Sequence, residues 1–165
     1  MRLALPCAAV IRLVVGLAIL SFMLSVPARA DEALETQSLR IEVAKGKHHD
    51  FTVEMAVTPR QRERGLMRRR EMAPDRGMLF AFGETRQVLM WMRNTYLPLD
   101  MLFIGRDGRI RSIHENAEPL SEAIIDSKVP VDFVLELNAG TVRQFGIRTG
   151  NRVRNALIEQ AGQTP

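Results

Sequence analysis

Leu39, Ile41 and Val43 alternate with Arg40 and Glu42, and Phe51, Val53, Met55 and Val57 alternate with Thr52 and Glu54. Side chains on a strand point to opposite faces in turn, so both segments read as half-buried strands. Residues 45–50 fall between them as a hairpin loop. Thr58-Pro59 reads as an N-cap followed by proline at the first helical position, which predicts a short basic helix to about Arg64, ended by Gly65. Further on, Gly77 to Phe82 is a short apolar strand. Val88 to Arg93 and Leu99 to Ile104 are apolar on both faces, the pattern of central strands in a sandwich or barrel. Asp107-Gly108 marks a turn, and Arg109 to His114 returns as the partner strand.

The remainder is less regular. Residues 115–130 read as a long connection with a helical turn near Ser121 to Ile125. Asp132 to Leu137 reads as a strand, Ala139 to Phe145 as a short helix closed by Gly146, and Asn151 to Ile158 as a last strand. The pattern therefore predicts a mainly β fold (α+β as the variant), a compact sandwich or barrel with one or two short helices. Its expected bounds are a flexible lead-in over 31–38, a single domain over 39–158 and a tail over 159–165.

Residues 1–30 are set apart from this pattern. Arg2 gives a basic start, 10–24 is apolar apart from Arg12, Gly16 and Ser21, and Ala28-Arg29-Ala30 supplies small residues at the two positions a signal peptidase reads. This predicts a signal peptide cleaved after Ala30 and a periplasmic or secreted product. The competing reading is an uncleaved anchor, but the apolar run is shorter than the roughly 20 residues that span a bilayer. Stable membrane insertion is not expected once the signal is removed.

Cleavage would change both charge and chemistry. Arg2, Arg12 and Arg29 leave with the signal, so 23 basic residues become 20 against 19 acidic ones and the net charge falls from +4 to +1. A nucleic-acid partner is not expected from so small an excess. The single cysteine, Cys7, also leaves, which removes disulfides, thiol nucleophiles and thiolate metal sites from the expected product.

Candidate chemistry concentrates in 91–103. Arg93, Asn94, Thr95 and Asp100 stand there among apolar residues, and such groups are costly to bury without partners. Asp100 has apolar neighbours on both faces of its expected strand, so Arg93, Asn94 and Thr95 are its candidate partners, in a ligand pocket or an internal clamp. Trp91, the only tryptophan, is either a core aromatic or a stacking platform beside Arg93. Glu136 is a further candidate acid, and with Asp100 it could form a glycosidase-like carboxylate pair. His114 reads as a surface residue at a strand end. Seven methionines (55, 67, 72, 78, 90, 92 and 101) are core filler or soft ligands for copper(I), with His48 and His49 as possible additions. No nucleophile elbow, zinc-protease helix, phosphate loop or dinucleotide fingerprint occurs, and no cofactor is expected.

Several motifs fall in a recognisable order: Gly65-Leu66-Met67-x-Arg69, Gly77-Met78-Leu79-Phe80-x-Phe82, and Trp91-Met92-x-Asn94-Thr95-x-x-Pro98-Leu99-Asp100-Met101-x-Phe103. Val134-Leu135-Glu136-Leu137-x-Ala139-Gly140 and Gly146-Ile147-x-x-Gly150-x-x-Val153 complete the set. Together they resemble the bacterial and archaeal family called domain of unknown function 192, over about Leu39 to Val153. The resemblance implies a compact, mainly β fold, often exported, with no activity to carry over. Its matching polar positions are Arg69, Asn94, Thr95, Asp100 and Glu136; Asn151 replaces a frequent aspartate and Arg93 a frequent lysine.

These readings lead first to an exported protein that binds a small polar or carbohydrate-like ligand, or a cell-envelope partner, through Trp91, Arg93, Asn94, Thr95, Asp100, Glu136 and Arg69. An envelope polysaccharide hydrolase using Asp100 and Glu136, and a methionine-based copper(I) carrier, are the alternatives.

Overall fold

The computed structural model describes residues 33–163. The expected signal peptide lies outside the described residues. The strands are β1 (Thr36–Ala44), β2 (Lys47–Ala56), β3 (Arg76–Arg86), β4 (Leu89–Met90), β5 (Leu99–Ile104), β6 (Ile110–Ala117), β7 (Ile125–Asp126), β8 (Val131–Asn138) and β9 (Arg152–Arg154). Helices α1 (Pro59–Arg64), α2 (Thr141–Phe145) and α3 (Ala156–Gln163) are all short. The fold is mainly β, as its alternating and doubly apolar segments predict.

Seven strands make one sheet in the order β6-β5-β8-β3-β2-β1-β9, while β4 and β7 pair separately. The large sheet curls as a half-barrel rather than splitting into a sandwich. Its two edges meet where Arg109, just before β6, bridges Arg152 on β9. All neighbours run antiparallel except β2 and β3, whose parallel pairing needs the crossover that α1 and residues 65–75 supply.

Both faces of the sheet are covered. One core draws on every strand of the sheet, including Ile41, Val53, Leu79, Leu102, Ile110, Leu135 and Val153, and is closed by Val142 and Ile147 and by Ile158 of α3. The second lies on the opposite face, where Met78, Phe80, Leu99, Met101, Phe103 and Val134 meet Leu66, Val88, Met92 and Leu97 from the loops. Strands β5 and β8 are therefore buried on both faces, which explains their continuous apolar runs. Gly77 permits the tight spacing at the centre, because a Cβ there would stand 2.6 Å from the Glu136 carbonyl oxygen.

Helix α1 begins as its sequence predicts: Thr58 accepts from the Gln61 N–H, and the Gln61 side chain accepts from the Thr58 N–H. Other segments differ from expectation. The hairpin turn is only Lys45-Gly46, with His48, His49 and Asp50 already in β2. Thr36–Ser38 belongs to β1 instead of a flexible lead-in, because it pairs with Thr52–Glu54. The stretch Val88 to Arg93 is not a central strand. Only Leu89–Met90 is extended, paired with β7, and its outward side chains reach solvent instead of a second layer. Ser121 to Ile125 forms no helix and ends in β7.

Asn151 to Ile158 divides into β9 and the start of α3. Buried Asn155 accepts from the Leu157 N–H at 3.0 Å and thereby starts the helix. The expected 159–165 tail thus contains helix up to Gln163, and the described residues hold three helices rather than one or two.

Candidate functional site

The loop from Trp91 to Leu97 alternates anchors with exposed groups. Met92, Thr95 and Leu97 are buried, whereas Trp91, Arg93, Asn94 and Tyr96 face solvent. Backbone bonds hold it: Thr95 N to Met92 O, Met92 N to Ser121 O, and Leu120 N to Thr95 O, each 3.0 Å. Asn94, at φ +59°, occupies the left-handed conformation that asparagine tolerates, and its carbonyl accepts from the Arg68 N–H at 2.8 Å. This bond ties the loop to residues 65–75.

Two aromatic–arginine pairs stand at this loop. The Arg93 guanidinium lies 4.8 Å from the centroid of the Trp91 ring, and that of Arg70 lies 5.0 Å from the Tyr96 ring. Trp91 is 43% exposed and Tyr96 42%, so Trp91 is no core aromatic. Leu89, Leu120 and Ile124 are also exposed large apolar residues of these segments.

Glu136 lies on the sheet face that this loop covers. It pairs directly with Met78 on β3 and Met101 on β5, which belong to the same core as Met92 and Leu97. One strand further out, Glu54 is the register partner of Met78 and binds Arg69 through both guanidinium nitrogens, with Nη2 to Oε2 at 2.6 Å. Met101 pairs on its other side with exposed His114. Glu136 is 4% exposed, and no hydrogen bond or ion pair to its carboxyl occurs among the described residues. Burial pushes its pKa up to about 8, so it is largely a neutral acid at neutral pH.

Asp100 is held elsewhere. It is fully buried, but Arg93, Asn94 and Thr95 are not its partners. Its Oδ1 accepts from the Asn116 N–H and its Oδ2 from the Val142 N–H, both at 2.9 Å. The first donor lies at an irregularity in β6, where the pairing jumps between Leu99 and Met101; the second lies in the first turn of α2, whose own N-cap residue, Gly140, offers no side chain. The carboxylate is thus a clamp joining three elements and a substitute cap for a helix.

The clamp also removes the carboxylate pair. Asp100 is the direct partner of Leu137, and Met101 that of Glu136. Paired residues share a face and successive residues alternate, so Asp100 and Glu136 project from opposite faces. They cannot flank one glycosidic bond, and the expected hydrolase arrangement is overturned.

Sequence reasoning missed several polar contacts. Glu54 looked like a solvated strand position, yet it anchors Arg69. Asp132 is buried and accepts from Thr85 Oγ1 at 2.9 Å and from Arg106 Nε at 3.1 Å, beside a cavity of about 270 Å³ bounded by α3. Arg70 stacks on Tyr96, a pairing across the two segments that carries no sequence signal. His49 stacks on Phe145 with centroids 4.1 Å apart and is not at an open loop tip. Among the described residues, no three His, Cys, Asp or Glu side chains are placed to share a metal ion.

These features define a curled, mainly β domain with a buried acid on one sheet face and two aromatic–arginine pairs at the loop that covers it. The chain belongs to the DUF192 family (Uncharacterized ACR), whose model matches residues 40–155. It is 64% identical to a structure from Sinorhizobium meliloti 1021 described as a "putative transcription regulator", covering 75% of this chain and 96% of that one with a TM-score of 0.74. A protein of unknown function from Novosphingobium aromaticivorans DSM 12444 is 33% identical, covering 76% of this chain and 89% of that one, with a TM-score of 0.71. No curated protein matches the chain.

Proposed function

We propose that this protein binds a small polar, ring-bearing ligand of carbohydrate type on the surface formed by Trp91, Arg93, Asn94 and Tyr96. The observation that carries the reading is the pair of exposed aromatic rings, each set against an arginine, on a loop held by backbone hydrogen bonds. Aromatic faces stack on the apolar face of a sugar ring, while guanidinium and amide groups donate to hydroxyls. A loop already held in place loses less entropy on binding. We further propose that binding occurs in the periplasm or outside the cell, after removal of residues 1–30; the leader-like sequence supports this.

Trp91 is the only tryptophan, so its emission reports on this surface without ambiguity. Titration with cell-wall saccharides should shift and saturate that emission, and Arg93→Gln should weaken the response. A flat titration across saccharides and small acids, in folded protein, would sink the ligand reading. Exposed Leu89, Leu120 and Ile124 favour a second reading, a protein partner in the cell envelope docking on the same surface. Loss of partner capture in Leu89→Ser and Ile124→Ser, with saccharide titrations flat, would select it.

The regulator description of the Sinorhizobium relative is not extended to this chain. Among the described residues no helix is long and apolar enough to cross a membrane.

A further inference from the structure

We propose that Met78, Glu136 and Met101 form a binding site for a soft monovalent metal ion, copper(I), for which silver(I) is the probe. The inference is independent of the Trp91 surface. Three buried acids occur among the described residues, and two of them are fully accounted for. Asp100 has two backbone donors, and Asp132 has Thr85 and Arg106. Glu136 alone has neither hydrogen-bond donor nor cation. Arg69, which reaches this face of the sheet, is committed to Glu54, the register partner of Met78.

The surroundings say which cation would suit it. Strand β8 runs between β3 and β5, and Glu136 pairs with Met78 on one side and Met101 on the other. Direct cross-strand neighbours have Cβ atoms about 4.5–5.5 Å apart on one face, so the three side chains rise side by side. Both methionines are fully buried, and the same core includes Met92. Thioethers are neutral, soft donors that favour copper(I) and silver(I) over calcium, magnesium or zinc. One carboxylate neutralises a single positive charge. A divalent ion would leave a net charge beside an apolar core, which is costly. The apolar core on this face is completed by loop residues Leu66, Met92 and Leu97, not by a second sheet.

The test is silver(I) titration of the purified protein followed by native mass spectrometry, with copper(I) competition against a chelator under reducing conditions. One ion per chain is expected. Met78→Leu and Met101→Leu nearly conserve side-chain volume and should each weaken binding by about tenfold or more, while the double variant should retain no ion. Glu136→Gln should weaken it similarly while staying folded, since glutamine carries no buried charge. Met55→Leu, in the core of the other face, and His48→Ala should bind as the wild type does. The proposal is overturned if folded wild-type protein retains no ion. It is also overturned if the double leucine variant binds unchanged, or if His48→Ala abolishes binding while Glu136→Gln leaves it intact.

Discussion

Asp100 and Glu136 lie one register step apart on adjoining strands, yet their carboxyl groups emerge on opposite faces of the sheet. Their environments differ accordingly. Asp100 receives two backbone N–H groups from β6 and α2, and Glu136 receives none. Removing the Asp100 side chain would orphan both donors in the interior. At about 1–3 kcal/mol for each unsatisfied group, Asp100→Ala should lose roughly 2–6 kcal/mol. Asn should recover part of this, because its single amide oxygen can still accept. Urea unfolding followed by circular dichroism measures the loss, and an unchanged midpoint for Asp100→Ala would refute the clamp.

Glu136 makes stability depend on pH with a definite sign. Its ordinary value is 4.5, and burial raises it to about 8. Below 4.5 both folded and unfolded chains carry the proton, so Glu136 contributes no slope there. From 4.5 to about 8 the unfolded chain releases the proton and the folded chain keeps it, so stability falls as pH rises. The slope is at most about 1.4 kcal/mol per pH unit and flattens above the raised value. Glu42 and Asp50 act in another window. Hydrogen bonds from Arg154 and Arg40 lower their pKa values, so their contributions are present at neutral pH and lost only in acid. Metal-free wild-type protein should therefore unfold at lower urea at pH 8 than at pH 5.5, and Glu136→Gln should remove most of that difference. Parallel profiles for the two proteins would contradict the assignment.

The strands were legible where one physical rule governed them. β1 and β2 alternate because one face meets the core and the other is more exposed, while β5 and β8 are continuously apolar because both faces are covered. Thr58-Pro59 announced α1 through local capping alone. The misreadings occurred where burial was not symmetrical. Leu89 and Trp91 look like the second face of a central strand, but that face is solvent. Asn155 resembled a strand residue because its capping role appears only once Leu157 turns back to it. The candidate site was legible as a region, since Trp91, Arg93, Asn94 and Thr95 do form one loop. Its pairing was not, because Asp100 finds its donors on Asn116 and Val142, the latter 42 residues away, and backbone donors leave no side-chain signature.

Arg69 and Glu54 join residues 65–75 to the sheet through a two-point ion pair whose side chains are 34% and 27% exposed. Geometry of this kind lies at the top of the range of an exposed contact, because solvent still screens it. A double-mutant cycle with Arg69→Ala and Glu54→Ala should yield a coupling of about 1 kcal/mol. It should shrink in high salt. Zero coupling at low ionic strength would mean that the crossover is held by Leu66 and the Arg68–Asn94 bond alone.

Trp91 and Tyr96 separate binding from stability. Both rings are partly exposed, so truncating either should change unfolding free energy by about 1 kcal/mol or less. Met92, between the exposed positions, is fully buried, and Met92→Ala should cost about 2–5 kcal/mol by leaving a cavity. The proposed ligand should reverse this order. Tyr96→Ala should weaken a saturable Trp91 emission response while leaving the urea midpoint near that of the wild type. Trp91→Ala, followed by calorimetry because the reporter is lost, should abolish detectable heat. If Tyr96→Ala binds normally, the second aromatic–arginine pair is not part of the recognition surface. If both variants bind normally, exposure of these rings serves another contact and the carbohydrate reading fails.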